Sequence, residues 1–267
     1  METIRYIILG ILQGITEPIP ISSSGHLVIF RNLINDTFFS DLNFEIIVNF
    51  GSLLAVLYFF RKDLIKIIRE FFIYVKTKNM NMKNNFNYVW LIIIGTIPAA
   101  LSGLILKDII ELNLSNIKII GVSLIITSMF LYSIRNMKGK KEENNITIKD
   151  ALIIGLFQVA ALLPGISRSG STIVGGMYNN LKREAAFRFS FMLYIPISLA
   201  TMVLGVKDLM KMDNINSLLV PYTLGMIVSA LATYFALGWF RDIMKKGKLI
   251  YFVYYCLIVG TLVILFM

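Results

Sequence analysis

An acid, a histidine and a run of serines lie close together near the start of this sequence, and these residue types can do chemistry. Glu17 follows Gln13 by four residues, so both side chains share one helical face just before a proline-containing turn. A carboxylate among apolar residues is costly and indicates function, as a cation ligand or a general base. The alternative is a structural ion pair to Arg168. His26 can give or take a proton near neutral pH, and its alternative is a packing role.

A second polar run, around Arg168, resembles the first in its wealth of hydroxyl groups and glycines. Small residues let backbone N–H groups approach an anion, and a helix that begins after the turn directs its positive end at the ligand. Arg168 adds planar, bidentate pairing that suits phosphate. The alternative, helix capping and close packing, accounts for the hydroxyls but not for the arginine. Ser23 and Thr172 could contact a reacting phosphorus, as a nucleophile or as a hydrogen-bond donor. The candidate phosphate-binding residues are Ser22, Ser167, Arg168, Ser169 and Thr172.

The composition places these runs in a membrane protein. Of 267 residues, 57% are apolar and 16% are charged, against about a quarter charged in soluble domains. A mean hydropathy of +0.73 excludes a soluble enzyme, because a 30.3 kDa globule cannot bury so much apolar surface. One cysteine and one histidine exclude a disulfide framework and any multi-histidine metal site. We expect no removed signal peptide, since the first residues lack a basic region and a cleavage site.

Six apolar stretches are long enough to cross about 30 Å of hydrocarbon as helices. They are residues 44–60, 88–106, 118–134, 187–206, 218–240 and 249–267. Two further apolar pieces, 4–17 and 151–163, are too short and run into Pro, Gly and Ser. Irregular backbone at membrane depth survives only where protein or a water-filled cavity satisfies it, so both pieces predict re-entrant hairpins.

The charged residues indicate the orientation of the chain. Its net charge of +10 is concentrated in short segments between apolar runs, which indicates topology and not a nucleic-acid partner. The basic segments are 61–83, 135–149 and 241–248, and they alternate with the balanced segments 31–43, 107–117 and 207–217. The positive-inside rule predicts that the basic segments are cytoplasmic and that both termini are outside.

For a few other residues the sequence predicts a location but no chemical role. Glu45 and Asn49 share one helical face and either line a cavity or pack. Aromatic residues at the ends of predicted spans are typical of the membrane interface. These are Trp90, Tyr222, Trp239 and Tyr251.

The two polar runs belong to an internal repeat. With an offset of 145 residues, GILQGITEPIPISSSGH aligns with GLFQVAALLPGISRSGS, and Gln13 falls on Gln158. Each copy is a hairpin followed by three spans, and the copies enter from opposite faces, which predicts an all-α inverted-topology repeat. Chance similarity is the alternative. Such folds place their site where the two broken elements meet, with Gln13 and Gln158 as supporting residues. Within one polytopic domain, 1–267, the copies are 1–134 with hairpin 1–34 and 150–267 with hairpin 150–183.

These motifs resemble the signatures of the undecaprenyl-pyrophosphate phosphatase family, also called bacitracin-resistance proteins. The resemblance covers nearly the whole chain. Many relatives carry glutamate where this chain has Gln13, so Glu17 is the only acid of that pair. The matching segments are Gln13-x-x-x-Glu17, Pro20 to His26 and Pro164 to Thr172, supported by Phe44-Glu45, Gly51-Ser52, Gly95 to Ala99 and Phe187 to Ser190.

The resemblance implies hydrolysis of a C55 polyprenyl diphosphate to the monophosphate and inorganic phosphate at the outer face of the bacterial plasma membrane. This reaction recycles the carrier lipid for cell-wall polymers and depends on Mg²⁺ or Ca²⁺. The catalytic residues would be Glu17, Ser23, His26 and Arg168, with Glu17 also the metal ligand. Ser23 would attack or orient the phosphate and His26 would act as acid or base, while direct attack by His26 stays open.

Two other classes of function use the same features differently. Inverted repeats with broken helices also mark secondary transporters, so the chain could flip or carry a lipid phosphate. A structural membrane protein gives no reason for Arg168 at depth. The sequence leaves a homodimer open.

Overall fold

The computed structural model describes residues 2–34, 42–113, 116–209 and 215–267, and the described residues are helical with no strand. Eleven α-helices are joined by short connections within these ranges. They are α1 Glu2–Thr16, α2 Ser23–Ile34, α3 Leu42–Phe59, α4 Arg61–Thr77, α5 Lys83–Asn113, α6 Ile117–Ile134, α7 Ile148–Ala160, α8 Arg168–Tyr178, α9 Arg183–Leu209, α10 Ile215–Lys246 and α11 Ile250–Phe266. The predicted all-α class is confirmed.

Four of these helices are long and apolar enough to cross a membrane. Their apolar portions are Met80–Leu106, Ile117–Ile134, Arg183–Gly205 and Leu218–Lys246. A fifth candidate is the pair α3 and α4, which is bent by 72° where one helix gives way to the next. α11 covers the last predicted span but has only 17 residues. The described residues therefore form a multi-pass helical bundle with four or five candidate spans, and the count of six stays a prediction.

The two short apolar pieces form helices that break at a turn and continue as a second short helix. α1 is followed by α2, and α7 by α8. The backbone turns through positive φ at Ser22, at +70°, and at Gly165, at +91°. Ser22 and Ser167, which are equivalent in the repeat, each cap the helix that follows. The Ser22 hydroxyl accepts from the Gly25 N–H at 3.3 Å, and the Ser167 hydroxyl accepts from the Gly170 N–H at 3.1 Å.

The two turns pack against each other through small residues. A Cβ built on Gly25 would lie 3.1 Å from the Cα of Gly165. A Cβ built on Gly170 would lie 3.3 Å from the Cβ of Pro20. Gly25 and Gly170 are equivalent in the repeat, and so are Pro20 and Gly165. The first polar run is therefore in contact with the second.

Glycines also let the long helices approach α1 and α7 closely. A Cβ on Gly10 of α1 would lie 2.4 Å from the carbonyl oxygen of Gly225 on α10. Likewise, a Cβ on Gly155 of α7 would lie 2.4 Å from the carbonyl oxygen of Gly95 on α5. Close backbone approach at small residues is the usual basis of helix packing in membranes.

The aromatic side chains separate into a buried core and an exposed belt. Trp90, Trp239 and Tyr251 are all about half exposed, and their interface position stays a prediction. The interface prediction for Tyr222 is wrong. This residue is 5% exposed because its ring packs on those of Tyr6, at 5.4 Å, and Phe44.

Candidate active site

Glu17 is the centre of a buried polar cluster at the meeting point of the two turns. It follows the last turn of α1, and only 8% of its side chain is exposed. Three groups donate to its carboxylate. The Arg168 guanidinium pairs with Oε1, the Ser23 hydroxyl donates to Oε2, and the Gln13 amide donates to Oε2 at 2.9 Å. The cluster therefore joins Gln13, Glu17 and Ser23 of the first hairpin to Arg168 of the second.

Arg168 is the first residue of α8, and residues of α9 hold its guanidinium in place. Its Cζ lies 3.9 Å from the ring centroid of Tyr194, and its Nη1 donates to the Ser198 hydroxyl at 3.3 Å. The Tyr194 hydroxyl donates to Oδ1 of Asn49 on α3 at 2.9 Å. Asn49 therefore has a defined contact beside the cluster. Tyr194 was not foreseen from the sequence, because a tyrosine in an apolar span carries no signal of its own.

His26 lies on α2 and makes its hydrogen bonds away from Glu17. Its Nδ1 is 2.7 Å from the Ser22 carbonyl oxygen, which can only accept, so Nδ1 carries a hydrogen. Its Nε2 is 2.8 Å from the Tyr255 hydroxyl, and the two rings stack 5.5 Å apart. Among the described residues, no hydrogen bond joins His26 to Ser23. Tyr255 was not foreseen, because α11 is remote in sequence.

The hydroxyls predicted to bind phosphate have identified partners within the protein. Ser22 and Ser167 cap helices, as the capping alternative states, and the Ser169 hydroxyl lies 3.3 Å from that of Ser167. The Thr172 hydroxyl lies 2.5 Å from that of Ser190. The Thr172 hydroxyl therefore contacts a residue beside the cluster, and neither the Glu17 carboxylate nor the Arg168 guanidinium. Phosphate contact by these hydroxyls stays a prediction.

Gln158 occupies the position in the second hairpin that Gln13 holds in the first, but it has no acid beside it. Both atoms of its side-chain amide are buried without a hydrogen-bond partner among the described residues. Four residues on, Leu162 stands at the position equivalent to Glu17. The repeat is thus asymmetric in chemistry, since the first hairpin supplies the carboxylate and the second supplies Arg168.

A small cavity opens beside the Glu17 cluster, between the two hairpins and the long helices. Its lining combines charged, hydroxyl and apolar groups, the mixture that a phosphate attached to an apolar chain requires. Its open volume is about 10 Å³, room for one water molecule, so a lipid diphosphate needs the walls to move apart. The lining residues are Glu17, Pro18, Val56, Arg168, Ser169, Ser190, Phe191, Tyr194 and Thr233.

The donor set around Glu17 can hold a hard cation only together with another ligand. No group of three or more His, Cys, Asp or Glu side chains converges among the described residues. Glu17 offers one carboxylate, and Gln13 Oε1 is a buried oxygen without a partner in the described structure. Mg²⁺ is commonly bound by one or two carboxylates plus substrate phosphates, so these oxygens fit a cation that arrives with a diphosphate.

The helical bundle and the buried cluster together define an integral membrane protein with a polar, oxyanion-compatible site between two broken helices. The family described as "Bacitracin resistance protein BacA" matches residues 6–262, and the chain belongs to this family. The resemblance drawn from the motifs is confirmed.

Three curated relatives match the chain over nearly its full length. Undecaprenyl-diphosphatase 2 of Bacillus thuringiensis (strain Al Hakam) is 46% identical over 99% of this chain and 97% of its own. Undecaprenyl-diphosphatase 1 of Halalkalibacterium halodurans is 45% identical over 98% of this chain and 95% of its own. Undecaprenyl-diphosphatase of Oceanobacillus iheyensis is 42% identical over 99% of this chain and 96% of its own.

Proposed function

We propose that this protein hydrolyses undecaprenyl diphosphate to undecaprenyl phosphate and inorganic phosphate, which returns the carrier lipid to cell-wall synthesis and confers bacitracin resistance. Membership of the family and the names of the relatives support this activity. The observation that carries it is the junction of Glu17, Ser23 and Arg168, where two hairpins bring an acid, a hydroxyl and a guanidinium together. The adjoining cavity offers both polar and apolar walls to such a lipid.

Arg168 is the proposed diphosphate ligand. Its planar guanidinium suits bidentate pairing with phosphate oxygens, and it would neutralise charge that develops on the transferred phosphoryl group. Without substrate, the same guanidinium pairs with Glu17. A diphosphate carries more negative charge than one carboxylate, so it would compete for Arg168 and loosen the ion pair. Ser22, Ser167, Ser169 and Thr172 would complete the phosphate site.

Ser23 is the proposed nucleophile, with Glu17 as its base. The Ser23 hydroxyl already donates to Glu17, which is the pairing that an activated serine needs. As the Ser23 Oγ–P bond forms, the bridging P–O bond breaks, the serine proton passes to Glu17 and undecaprenyl phosphate leaves. Water then breaks the Oγ–P bond, phosphate is released and Glu17 returns the proton to Ser23.

His26 is the proposed acid or base for the water step. Its Nε2 is the nitrogen free of a fixed hydrogen, and it faces the Tyr255 hydroxyl. A proton could pass from water through this pair while Nδ1 stays bonded to the Ser22 carbonyl. The alternatives to Ser23 are that water or His26 attacks phosphorus. Both leave the role of Arg168 unchanged.

A divalent cation, Mg²⁺ or Ca²⁺, is the proposed cofactor, held by Glu17 and the oxygen of Gln13 together with the substrate. When bound it would neutralise phosphate charge and make phosphorus easier to attack. The unpartnered Gln13 oxygen supports this placement. Chelation is therefore expected to stop turnover without unfolding the protein.

We also propose an inverted-topology repeat, 1–134 against 150–267, with six spans, two re-entrant hairpins, both termini outside and the site open to the outer face. Matched contacts support it. The Thr127 hydroxyl of α6 donates to the Gly165 carbonyl, and the Cys256 thiol of α11 donates to the Pro20 carbonyl. Pro20 and Gly165 hold equivalent positions in the two turns. The close contacts at Gly10 of α1 and Gly155 of α7 are equivalent in the same way.

The test is inorganic phosphate release by the purified protein from a C55 or C15 polyprenyl diphosphate, with Mg²⁺, Ca²⁺ or chelator. Arg168→Ala should abolish release. Arg135→Ala is the matched control, because Arg135 also stacks on a tyrosine, at 3.5 Å, but lies outside the site. No release by folded wild-type protein would refute the phosphatase and favour a lipid-phosphate transporter, which releases none.

A further inference from the structure

Helix α4 takes no part in either hairpin or in the cavity beside Glu17. It has 17 residues and follows α3 at a 72° bend. Seven of its 17 residues are charged, too many for a helix that crosses hydrocarbon. This charge density argues that, of the pair α3 and α4, α3 is the part within the hydrocarbon.

Three faces of α4 differ in chemistry. Ile67, Phe71 and Tyr74 point toward the protein, and Ile67 is buried. Next to this face, four large apolar side chains lie within an arc of about 80° on a helix with 3.6 residues per turn. Their exposed fractions are 64% for Ile65, 54% for Ile68, 57% for Phe72 and 45% for Val75.

A further arc of α4 is mainly basic, and Asp63 and Glu70 separate it from the packed face. Arg61 falls within the apolar arc at the first turn, where its guanidinium lies over the Tyr58 ring. Lys62, Lys66, Arg69 and Lys76 occupy the next arc of about 80°, directly beside the exposed apolar side chains. All four are exposed, and none forms a salt bridge with a carboxylate of the described residues, although Lys66 is near enough to Glu143 for their charges to interact. An apolar face beside a basic face is the pattern of a helix that lies in a membrane interface.

Aromatic contacts connect α4 to the interface level of the bundle. Phe71 stacks on Phe86 with ring centroids 5.3 Å apart, and Phe86 lies 6.4 Å from Trp90. Trp90 is 48% exposed near the start of the apolar part of α5, where an amphipathic ring marks the boundary between headgroups and hydrocarbon. These ring contacts connect α4 to the end of α5 at which Trp90 is expected to meet the headgroups.

We propose that α4 lies in the membrane interface and binds an anionic phospholipid surface. Its apolar face enters the acyl boundary, and its four basic side chains contact phosphate headgroups. Charge complementarity favours this occupant over a second copy of the chain, whose own α4 would bring like charges together.

The depth of α4 can be measured with spin labels on single cysteines in a Cys256→Ser background, with the protein in bilayers that contain phosphatidylglycerol. Labels at Ile68→Cys and Phe72→Cys should collide with oxygen, and a label at Lys66→Cys should collide with a water-soluble nickel chelate. Apolar-face labels that meet nickel would place this face in water. Labels that meet neither reagent would indicate a protein partner. Either result overturns the proposal.

Lipid preference gives an independent test. In native mass spectrometry with added phosphatidylglycerol or phosphatidylcholine, the quadruple variant Lys62→Gln, Lys66→Gln, Arg69→Gln and Lys76→Gln should lose at least about tenfold in phosphatidylglycerol affinity. The control carries Lys138→Gln, Lys140→Gln, Lys246→Gln and Lys248→Gln, which remove the same charge elsewhere. Equal losses in both variants, or none, would contradict the proposal. Phosphate release in detergent should stay unchanged in both and thereby report correct folding.

Discussion

Glu17 serves two purposes in one position, as the partner of a buried guanidinium and as the acceptor for a serine hydroxyl. A carboxylate that is only structural needs Arg168 alone. Here it also accepts from Ser23 and Gln13, and it lines the cavity. A purely structural ion pair would explain neither the two extra donors nor the cavity beside the cluster.

Removal of the Glu17 charge should separate the two purposes. Glu17→Gln is expected to abolish phosphate release and to destabilise the protein, because Arg168 loses its partner. The loss should be less than the 3–5 kcal/mol typical of a broken buried pair, since 24% of the Arg168 side chain is exposed. The double variant Glu17→Gln, Arg168→Met should regain stability but not activity in thermal unfolding and phosphate-release assays. A fully active Glu17→Gln protein would contradict the account.

Tyr194 is a positioning residue for Arg168. Tyr194→Leu removes the ring under the guanidinium, and a desolvated cation–π contact is worth about 2 kcal/mol, or roughly thirtyfold. We expect that loss in kcat/KM together with a lower melting temperature, because Tyr194 is buried and leucine leaves part of its space empty. Tyr194→Phe keeps the ring and loses only the hydrogen bond to Asn49, so its loss should be smaller. The account of Arg168 positioning fails if the leucine variant works as well as the phenylalanine variant.

At the residue scale, sequence patterns identified the acid, the arginine and the serine, because charges in apolar surroundings stand out. They did not identify Tyr194 or Tyr255. Each reaches the site from a span distant in sequence, and a tyrosine in a membrane helix has many uses. The hydrogen-bond partners of His26 were likewise beyond prediction, since they depend on how α11 packs on the first turn.

At the scale of elements, close helix contacts hold each hairpin in place. α1 packs on α10 at Gly10, and α7 packs on α5 at Gly155. Contacts this short leave no room for a side chain, because the facing group is backbone and cannot move aside. The glycines thus fix where each hairpin turns relative to the long helices, and with it the position of the polar runs.

Glycine substitutions test this packing. Gly10→Ala and Gly155→Ala should each lower the melting temperature in detergent, because the new Cβ would lie 2.4 Å from a carbonyl oxygen. Gly238→Ala is the control. It also lies within a long helix but has nothing within 4 Å of the new Cβ, so it should be neutral or slightly stabilising. Equal melting temperatures for all three variants would contradict the proposed packing.

Apolar length and Pro/Gly/Ser punctuation were enough to predict both broken helices. The same reasoning missed α4, because its seven charges made segment 61–83 look like a loop. A helical period in its apolar residues, Ile65, Ile68, Phe72 and Val75, was the available signal. Tyr222 was misplaced for a related reason, since position at a span end does not show which neighbours cover a ring.

In the molecule as a whole, the proposed inverted repeat would account for a site built from one acid-bearing hairpin and one arginine-bearing hairpin. Sequence alone predicted this arrangement from the offset of 145 residues and the alternation of charge. It could not predict how the long helices seat the hairpins. That depends on side-chain packing between elements far apart in the chain.

The orientation is testable by cysteine labelling in a Cys256→Ser background. Met267→Cys should react with an impermeant maleimide on intact cells, because the positive-inside rule places the C-terminal end outside. Thr77→Cys, Lys140→Cys and Lys246→Cys should react only after the membrane is permeabilised. The reverse pattern would invert the topology and move the proposed site to the inner face.

The pair Ser23→Ala and Ser24→Ala, compared in phosphate release from undecaprenyl diphosphate, tests the role of the Glu17–Ser23 contact. Both serines lie at the start of α2, but the Ser23 hydroxyl bonds Glu17, whereas that of Ser24 is near Ser22. We predict that Ser23→Ala lowers kcat by about 10²-fold or more, the usual range for loss of such a proton-transfer pair. Ser24→Ala should stay close to wild type. Near-normal turnover by folded Ser23→Ala would contradict the assignment of the reaction to the Glu17–Ser23 pair.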